Sequence, residues 1–234
     1  MTDSEHSVFL VHGFGSSARS SWERFGWIDA FEQQGRRVLA PDLPGHGLAE
    51  KPTDPEGYGM IEDEVYAHAK SLGQVDAVGF SLGARLLVSV EAEHPGTFSR
   101  LVLGGIGSNV FNFRSPEHLA AAIEHRDSDR APNSPMAAAF VVGAYRSSNN
   151  PEALAAFLRR PLRQRIGVEQ LNAVKCPVLL VVGESDTMVH PVEKLSEHLT
   201  DVRVVTVPLA DHLDTMRSPL FLEASLEFLS TPSK

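Results

Sequence analysis

The amino-acid sequence predicts an α/β layer fold with buried, mostly parallel strands, and three observations carry that expectation. Six short, apolar, β-branched runs recur along the chain: Ser7 to Val11, Arg37 to Ala40, Val75 to Val78, Leu101 to Leu103, Val178 to Val182 and Val202 to Val207. Runs of this kind suit strands covered on both faces. Amphipathic segments of helical length separate most of them, which is the alternation of a layered α/β fold. Between Ser108 and about Asn172 the alternation stops, and no strand pattern occurs.

In chain order, the first run leads into His12-Gly13-Phe14-Gly15-Ser16-Ser17, a glycine-bearing turn. A helix is predicted over Trp22 to Gln34, with Gly35 as its stop. The second run ends in Asp42-Leu43-Pro44-Gly45-His46-Gly47, whose proline and glycines mark a tight turn in which Asp42 and His46 read as structural. Met60 to Leu72 is the next predicted helix, with Gly73 as its stop, and Leu82 to Glu93 follows the third run. The strandless region holds three alanine-rich stretches that each open on proline, Pro116 to Glu124, Pro135 to Tyr145 and Pro151 to Arg159. Proline suits the first turn of a helix, so these read as a helical insertion. Pro191 to Leu199 and Leu220 to Leu229 complete the predicted helices. The expected organisation is a core of residues 1–107 and 173–234 interrupted by a cap of residues 108–172.

Composition narrows the function classes. A chain of 234 residues with 42% hydrophobic content suffices for one large core. Its 21 Lys and Arg stand against 30 Asp and Glu, a net charge of −9 that disfavours nucleic acid or an anionic membrane as partner. No apolar run approaches the roughly 20 residues of a membrane span, and the acidic start Met1-Thr2-Asp3-Ser4-Glu5 does not resemble a secretory signal, so a soluble cytoplasmic protein is expected. Cys176 is the single cysteine and is expected to be structural; no Cys/His cluster has zinc spacing, and no metal or other cofactor is expected. The Gly13-Phe14-Gly15 pair lacks the third glycine and downstream acid of a dinucleotide site. The charge balance leaves the oligomeric state open.

Chemistry concentrates at Gly79-Phe80-Ser81-Leu82-Gly83, a G-x-S-x-G pattern lying between a predicted strand and a predicted helix. In that setting a sharp turn lifts the Ser81 hydroxyl clear of the sheet, and a Cβ at either glycine would strike the strand or the helix. A serine hydroxyl needs a base, and His212 follows the last run in a loop where it can take the proton and return it to a leaving group. A carboxylate must hold that ring. Asp186, in Gly183-Glu184-Ser185-Asp186 directly after the fifth run, is placed to do so; Glu184, Asp211 and Asp214 are competing acids and His190 a competing histidine, without the same post-strand position. The amides of Phe14 and Leu82 are the expected oxyanion donors. In the insertion, Phe111, Phe113, Phe140 and Tyr145 are candidates to line a substrate pocket, and Arg85, one helical turn past Ser81, is a candidate for a substrate carboxylate or for packing within its helix.

Taken together, His12-Gly13-Phe14-Gly15, Asp42 to Gly47, the Ser81 elbow, Gly183 to Asp186 and Asp211-His212 resemble the α/β-hydrolase superfamily over essentially the whole chain. The resemblance implies Ser81 as nucleophile, Asp186 as acid, His212 as base, and a mostly parallel sheet of about six strands without the usual leading hairpin. Asp211 departs from the glycine that usually precedes the catalytic histidine. A serine elbow fits acyl transfer on an ester, thioester or lactone and argues against relatives that use aspartate there. The elbow with Arg85 is also similar to the menaquinone-pathway synthase branch (SHCHC synthase), which implies a lyase or carbon–carbon hydrolase acting on a carboxylated substrate. A ligand receptor on the same scaffold is a third, non-catalytic reading.

Overall fold

A computed structural model describes residues 7–59, 61–111, 116–125, 135–145, 148–161 and 166–230. Its centre is a six-stranded sheet: β1 (Ser7–Val11), β2 (Val38–Leu39), β3 (Val75–Phe80), β4 (Phe98–Gly104), β5 (Val178–Gly183) and β6 (Val202–Val207). Their spatial order is β2-β1-β3-β4-β5-β6, and every pairing is parallel. Strands β3 and β5 are buried along their whole length, because helices cover both faces.

Alternation along the strands sends side chains into two cores. Phe9, Val11, Leu101, Leu103 and Leu180 pack on one face with α2 (Ile61–Ser71) and α3 (Leu82–Glu93). Val8, Leu10, Val102, Leu179 and Val181 pack on the other with α1 (Trp27–Gln33) and, near the chain's end, a helix over Pro219–Ser230. A buried ion pair joins the start of β2 to β3, Arg36 Nη2 to Asp76 Oδ2 at 2.6 Å. The strand order reverses between β1 and β3, so the loops leaving their carboxyl ends diverge and open a crevice there, where open α/β sheets bind ligands.

Between β4 and β5 the described residues form α4 (Glu117–Glu124), α5 (Pro135–Ala144), α6 (Pro151–Arg159) and the short α7 (Val168–Leu171). They carry an apolar cluster of their own, with Ile123, Val141, Leu154 and Leu158 at its centre and Phe14 of the core packed against it. Asn150 caps α6 by accepting from the Glu152 and Ala153 amides, with Pro151 in the first turn as the sequence predicts.

The predicted helix over Trp22 to Gln34 is divided. Gly26 takes a left-handed φ of 73° and α1 starts only after it, while Arg19–Glu23 forms a separate π-type turn. The preceding serines bond one another, Ser16 to Ser20 and Ser21 and Ser17 to Ser20, which gives the backbone an alternative to a regular helix. Pro191 to Leu199 shrinks to α8 (Glu193–Ser196), and α9 (His212–Arg217) forms where the sequence suggested a loop; the chain then closes with α10 (Pro219–Ser230). Cys176 sits beside Glu91, and burial pushes its thiol well above the ordinary range, in keeping with a structural cysteine. Among the described residues, no helix is long and apolar enough to cross a membrane.

Candidate active site

Ser81 occupies the turn from β3 into α3 with φ 53° and ψ −108°, backbone angles that few side chains tolerate. The flanking glycines make the turn possible. A Cβ on Gly79 would lie 2.6 Å from the Ala84 amide nitrogen, and one on Gly83 only 2.0 Å from the Val11 carbonyl oxygen, so α3 approaches β1 as closely as backbone allows. The Ser81 amide donates to the Gly104 carbonyl at 2.8 Å, which pins the elbow to β4.

The other two members of the constellation arrive from β5 and β6. Asp186 follows β5 in a turn closed by its own amide donating to Gly183, and its Oδ1 accepts from the Met188 amide at 3.0 Å. His212 opens α9 just past β6, with Nδ1 2.6 Å from Asp186 Oδ2 and Nε2 2.9 Å from Ser81 Oγ. His212 and Asp186 are each 1% exposed, so water does not compete for the bond between them. The arrangement fixes the tautomer: Nδ1–H donates to the carboxylate and Nε2 is left to accept from the serine. Gly183 lets the two loops meet, since a Cβ there would lie 2.3 Å from the Ala210 carbonyl oxygen.

Asp211 has an extended backbone that demands no glycine, with φ −81°, and its carboxylate accepts from the Asp214 amide as the cap of α9. The charged neighbour thus orients the helix that carries His212. Glu184 accepts from the Leu209 amide, Asp214 lies on the exposed side of α9, and His190 bonds the Gly183 carbonyl. Among the described residues, the His212 ring makes its side-chain hydrogen bonds with Asp186 and Ser81 and with none of these competitors.

The loop after β1 lies against the elbow: a Cβ on Gly13 would be 3.4 Å from the Phe80 carbonyl oxygen and 3.5 Å from Ser81 Cβ. His12 supports the loop by bonding the Gly13 carbonyl through Nδ1 and accepting from the Leu43 amide at Nε2. Asp42 accepts from the Ala18 and Leu48 amides, so its carboxylate braces the loop of which the sequence made it a structural part. His46 bonds the Pro44 carbonyl, and burial pushes its imidazole down to about 3. Asn149 was missed by sequence reasoning. Its Nδ2 donates to the carbonyls of Gly15 and Gly143, and its Oδ1 accepts from the Gly47 amide, so one side chain fastens α5 to two core loops. Its position just before the Asn150 cap and Pro151 was the available signal.

Ser81 and His212 open into a cavity of about 500 Å³. Its apolar wall is Phe14, Phe80, Phe140, Leu213 and Met216, and Phe140 stands edge-on to both Phe14 and His212. Of the aromatic candidates, Phe140 therefore lies where expected. Phe111 instead packs against His198 and the core that includes α2 and α3, and the Tyr145 hydroxyl donates to the Ile123 carbonyl of α4; neither lines this cavity. Phe113 lies outside the described residues. Arg85 is also absent from the lining, because its guanidinium donates to the Asn109 carbonyl and so fastens the turn after β4 to α3. Burial lowers its pKa, as expected of a packed arginine.

The family model described as "Alpha/beta hydrolase family" matches residues 8–224, the span from β1 to α10. The chain belongs to the alpha/beta hydrolase family. A curated relative within reach of this alpha/beta hydrolase is 2-hydroxymuconate semialdehyde hydrolase of Pseudomonas sp. (strain CF600), 28% identical over 123 residues, covering 49% of this chain. The match spans only 40% of that relative's own length. Among solved structures, the enol-lactonase from Burkholderia xenovorans LB400 superposes with a TM-score of 0.76 at 19% identity, covering 97% of this chain and 92% of the other. MenH from S. aureus superposes with a TM-score of 0.73 at 20% identity, covering 98% and 94%. At such identities these structures show the fold alone. The alpha/beta hydrolase sheet of six strands is the one the sequence led us to expect, parallel throughout where a mostly parallel sheet was expected.

Proposed function

We propose that this alpha/beta hydrolase is a serine hydrolase of carboxylic esters or related acyl compounds, with thioesters and lactones in range. One observation carries the reading: the continuous Asp186–His212–Ser81 chain of hydrogen bonds, 2.6 and 2.9 Å long, at the bottom of the cavity. In the reaction Ser81 Oγ attacks the acyl carbon as its proton passes to His212 Nε2. Asp186 stabilises the resulting imidazolium and keeps the ring in register. The negative charge that develops on the carbonyl oxygen falls to the Phe14 and Leu82 amides, the second being among the first N–H groups of α3, which have no intrahelical partner. His212 then protonates the leaving group, and water, deprotonated by the same ring, releases the acyl group from Ser81.

The described helices α4, α5 and α6 act as a cap in this reading, with α5 closing the cavity that holds Ser81 through Phe140 and Gly143. A second reading, carbon–carbon bond hydrolysis or a lyase reaction on the same triad, draws support from the curated relative named for 2-hydroxymuconate semialdehyde hydrolysis and from the likeness to MenH.

The test is turnover of 4-nitrophenyl esters of increasing chain length beside a panel of lactones and of carboxylated dienes. Ester or lactone cleavage that a phosphonate titrant blocks by labelling Ser81, and that falls about a millionfold in Ser81→Ala, is expected. Cleavage of the dienes alone moves the assignment to the second reading. Undiminished ester turnover in purified Ser81→Ala protein removes the first.

A further inference from the structure

The cavity that holds Ser81 has a second wall that the proposed chemistry does not use. Besides Phe14 and Phe140 it is lined by Ser16, Ser20 and Ser21 and by two cations, Arg24 from the turn before α1 and Arg217 from the end of α9. They lie on separate elements and both line this cavity. Both side chains belong to residues that are exposed, so they stand at the mouth rather than in the core. Among the described residues, Arg24 meets no carboxylate at ion-pair distance and rests over the Phe25 ring at 5.7 Å. The Asp214 contact of Arg217 is 3.5 Å long, with both groups more than half exposed, the kind of pair that contributes little and opens readily. Glu23 and Asp42 face the neighbouring groove beside Arg24 and do not line the Ser81 cavity.

We propose that Arg24 and Arg217 bind a carboxylate on the substrate, so that this enzyme selects acyl compounds bearing a carboxylate remote from the scissile bond. The proposal rests on the serine-hydrolase reading for its reaction and adds the substrate class. A protein of net charge −9 gains nothing from its overall field in binding an anion, so an anionic group would depend on cations at the site itself, and Arg24 and Arg217 are the two in the lining of this cavity. The donor set suits a planar carboxylate. The hydroxyls of Ser16, Ser20 and Ser21 already bond one another at 2.6 and 2.9 Å, so the donors for an anion are the two guanidinium forks, one Nη of Arg217 being shared with Asp214 at 3.5 Å, and a fork matches a carboxylate's two oxygens. The apolar wall then receives the body of the substrate, with its reacting carbonyl over Ser81. Arg85 takes no part, being turned to Asn109.

Two matched substrate pairs test this: 4-acetoxybenzoate against its methyl ester, and mono(4-nitrophenyl) adipate against 4-nitrophenyl hexanoate. At low salt the anionic member of at least one pair should have the higher kcat/KM. That preference should shrink with added salt, and the anionic-to-neutral ratio should fall about 10-fold or more in Arg24→Met/Arg217→Met. Preference for the neutral member in both pairs, or a ratio the double variant leaves unchanged, overturns the proposal while ester turnover leaves the serine-hydrolase reading intact. If no ester is turned over, that reading fails, and the carboxylate site is read separately by calorimetric binding of 4-acetoxybenzoate and its methyl ester to Ser81→Ala protein. Tighter binding of the anion, lost in the same double substitution, supports the site; equal binding overturns it. Circular dichroism checks that the double variant folds.

Discussion

The floor and the roof of the Ser81 cavity are built on different terms. The floor is backbone: Ser81, Asp186 and His212 each follow a parallel strand, and Gly79, Gly83 and Gly183 stand where any Cβ would fall within 2.6 Å of a neighbouring backbone atom. The roof is side chain. Helix α5 is held by Phe140 against Phe14, by the cluster of Ile123, Val141 and Leu154, and by the three hydrogen bonds of Asn149. Contacts between side chains can be exchanged for others of similar volume, whereas contacts between main chains cannot. The geometry of Ser81, His212 and Asp186 is therefore fixed by the first region, while the second leaves the shape of the apolar wall open to change.

The contrast breaks most sharply at the triad. His212→Ala should lower kcat about a millionfold, and Asp186→Asn by roughly four orders of magnitude, because the three groups act as a unit and the acid is the least costly to lose. Single-turnover kinetics on a reactive ester measures both, and a normal Asp186→Asn enzyme beside an inactive Glu184→Gln one would move the acid elsewhere.

His46 lies where floor meets roof, its ring 5.3 Å from His12 and 5.0 Å from Phe157 of α6. It is neutral in the folded protein down to about pH 3, whereas in the unfolded chain it takes up a proton below about pH 6.5. The unfolded state therefore binds the extra proton between those values, and stability is lost as pH falls through the window, by on the order of 5 kcal/mol in all. Urea titrations across pH 3 to 7 should show a shallower acid slope in His46→Asn; an unchanged slope would refute the assignment. His12, also held neutral by burial, adds to the slope that remains.

The smallest effect belongs to the roof latch. Asn149→Ala removes three hydrogen bonds and should cost about 1–3 kcal/mol of stability. KM should rise more than kcat falls, since α5 loosens above an intact triad. An equal loss in kcat would tie roof and floor together more tightly than their packing implies.

The floor was legible in the sequence for the reason that makes it rigid. Backbone collisions demand glycine, strand ends demand a fixed chain order, and both leave letters behind: Gly79, Ser81, Gly83, Asp186 and His212 could be read directly. The roof left composition only. Alanine-rich stretches beginning with proline gave its helices, but nothing in the letters said that Phe140 faces the cavity while Phe111 and Tyr145 face elsewhere, because helical orientation depends on what packs beneath. Arg85 was drawn toward the site by its spacing from Ser81, and a backbone carbonyl two elements away claimed it. Arg24 and Arg217 carried no motif and became visible only when the turn before α1 met the end of α9.

Ser81 is held with φ 53° by the packing of its elbow, a conformation natural to glycine and one that costs a side chain about 1–3 kcal/mol. The proposed nucleophile thus sits at a strained position in the turn between β3 and α3, and a variant without the hydroxyl should be able to relax. Replacing Ser81 by glycine and by alanine removes the same hydroxyl, but only glycine releases the strain, against its usual handicap of up to about 1 kcal/mol relative to alanine. The Ser81→Gly protein should therefore melt at or above Ser81→Ala, inverting the ordinary ranking of the two residues. Reactivity here is kept at the expense of durability, and loss of function would be rewarded by a sturdier fold.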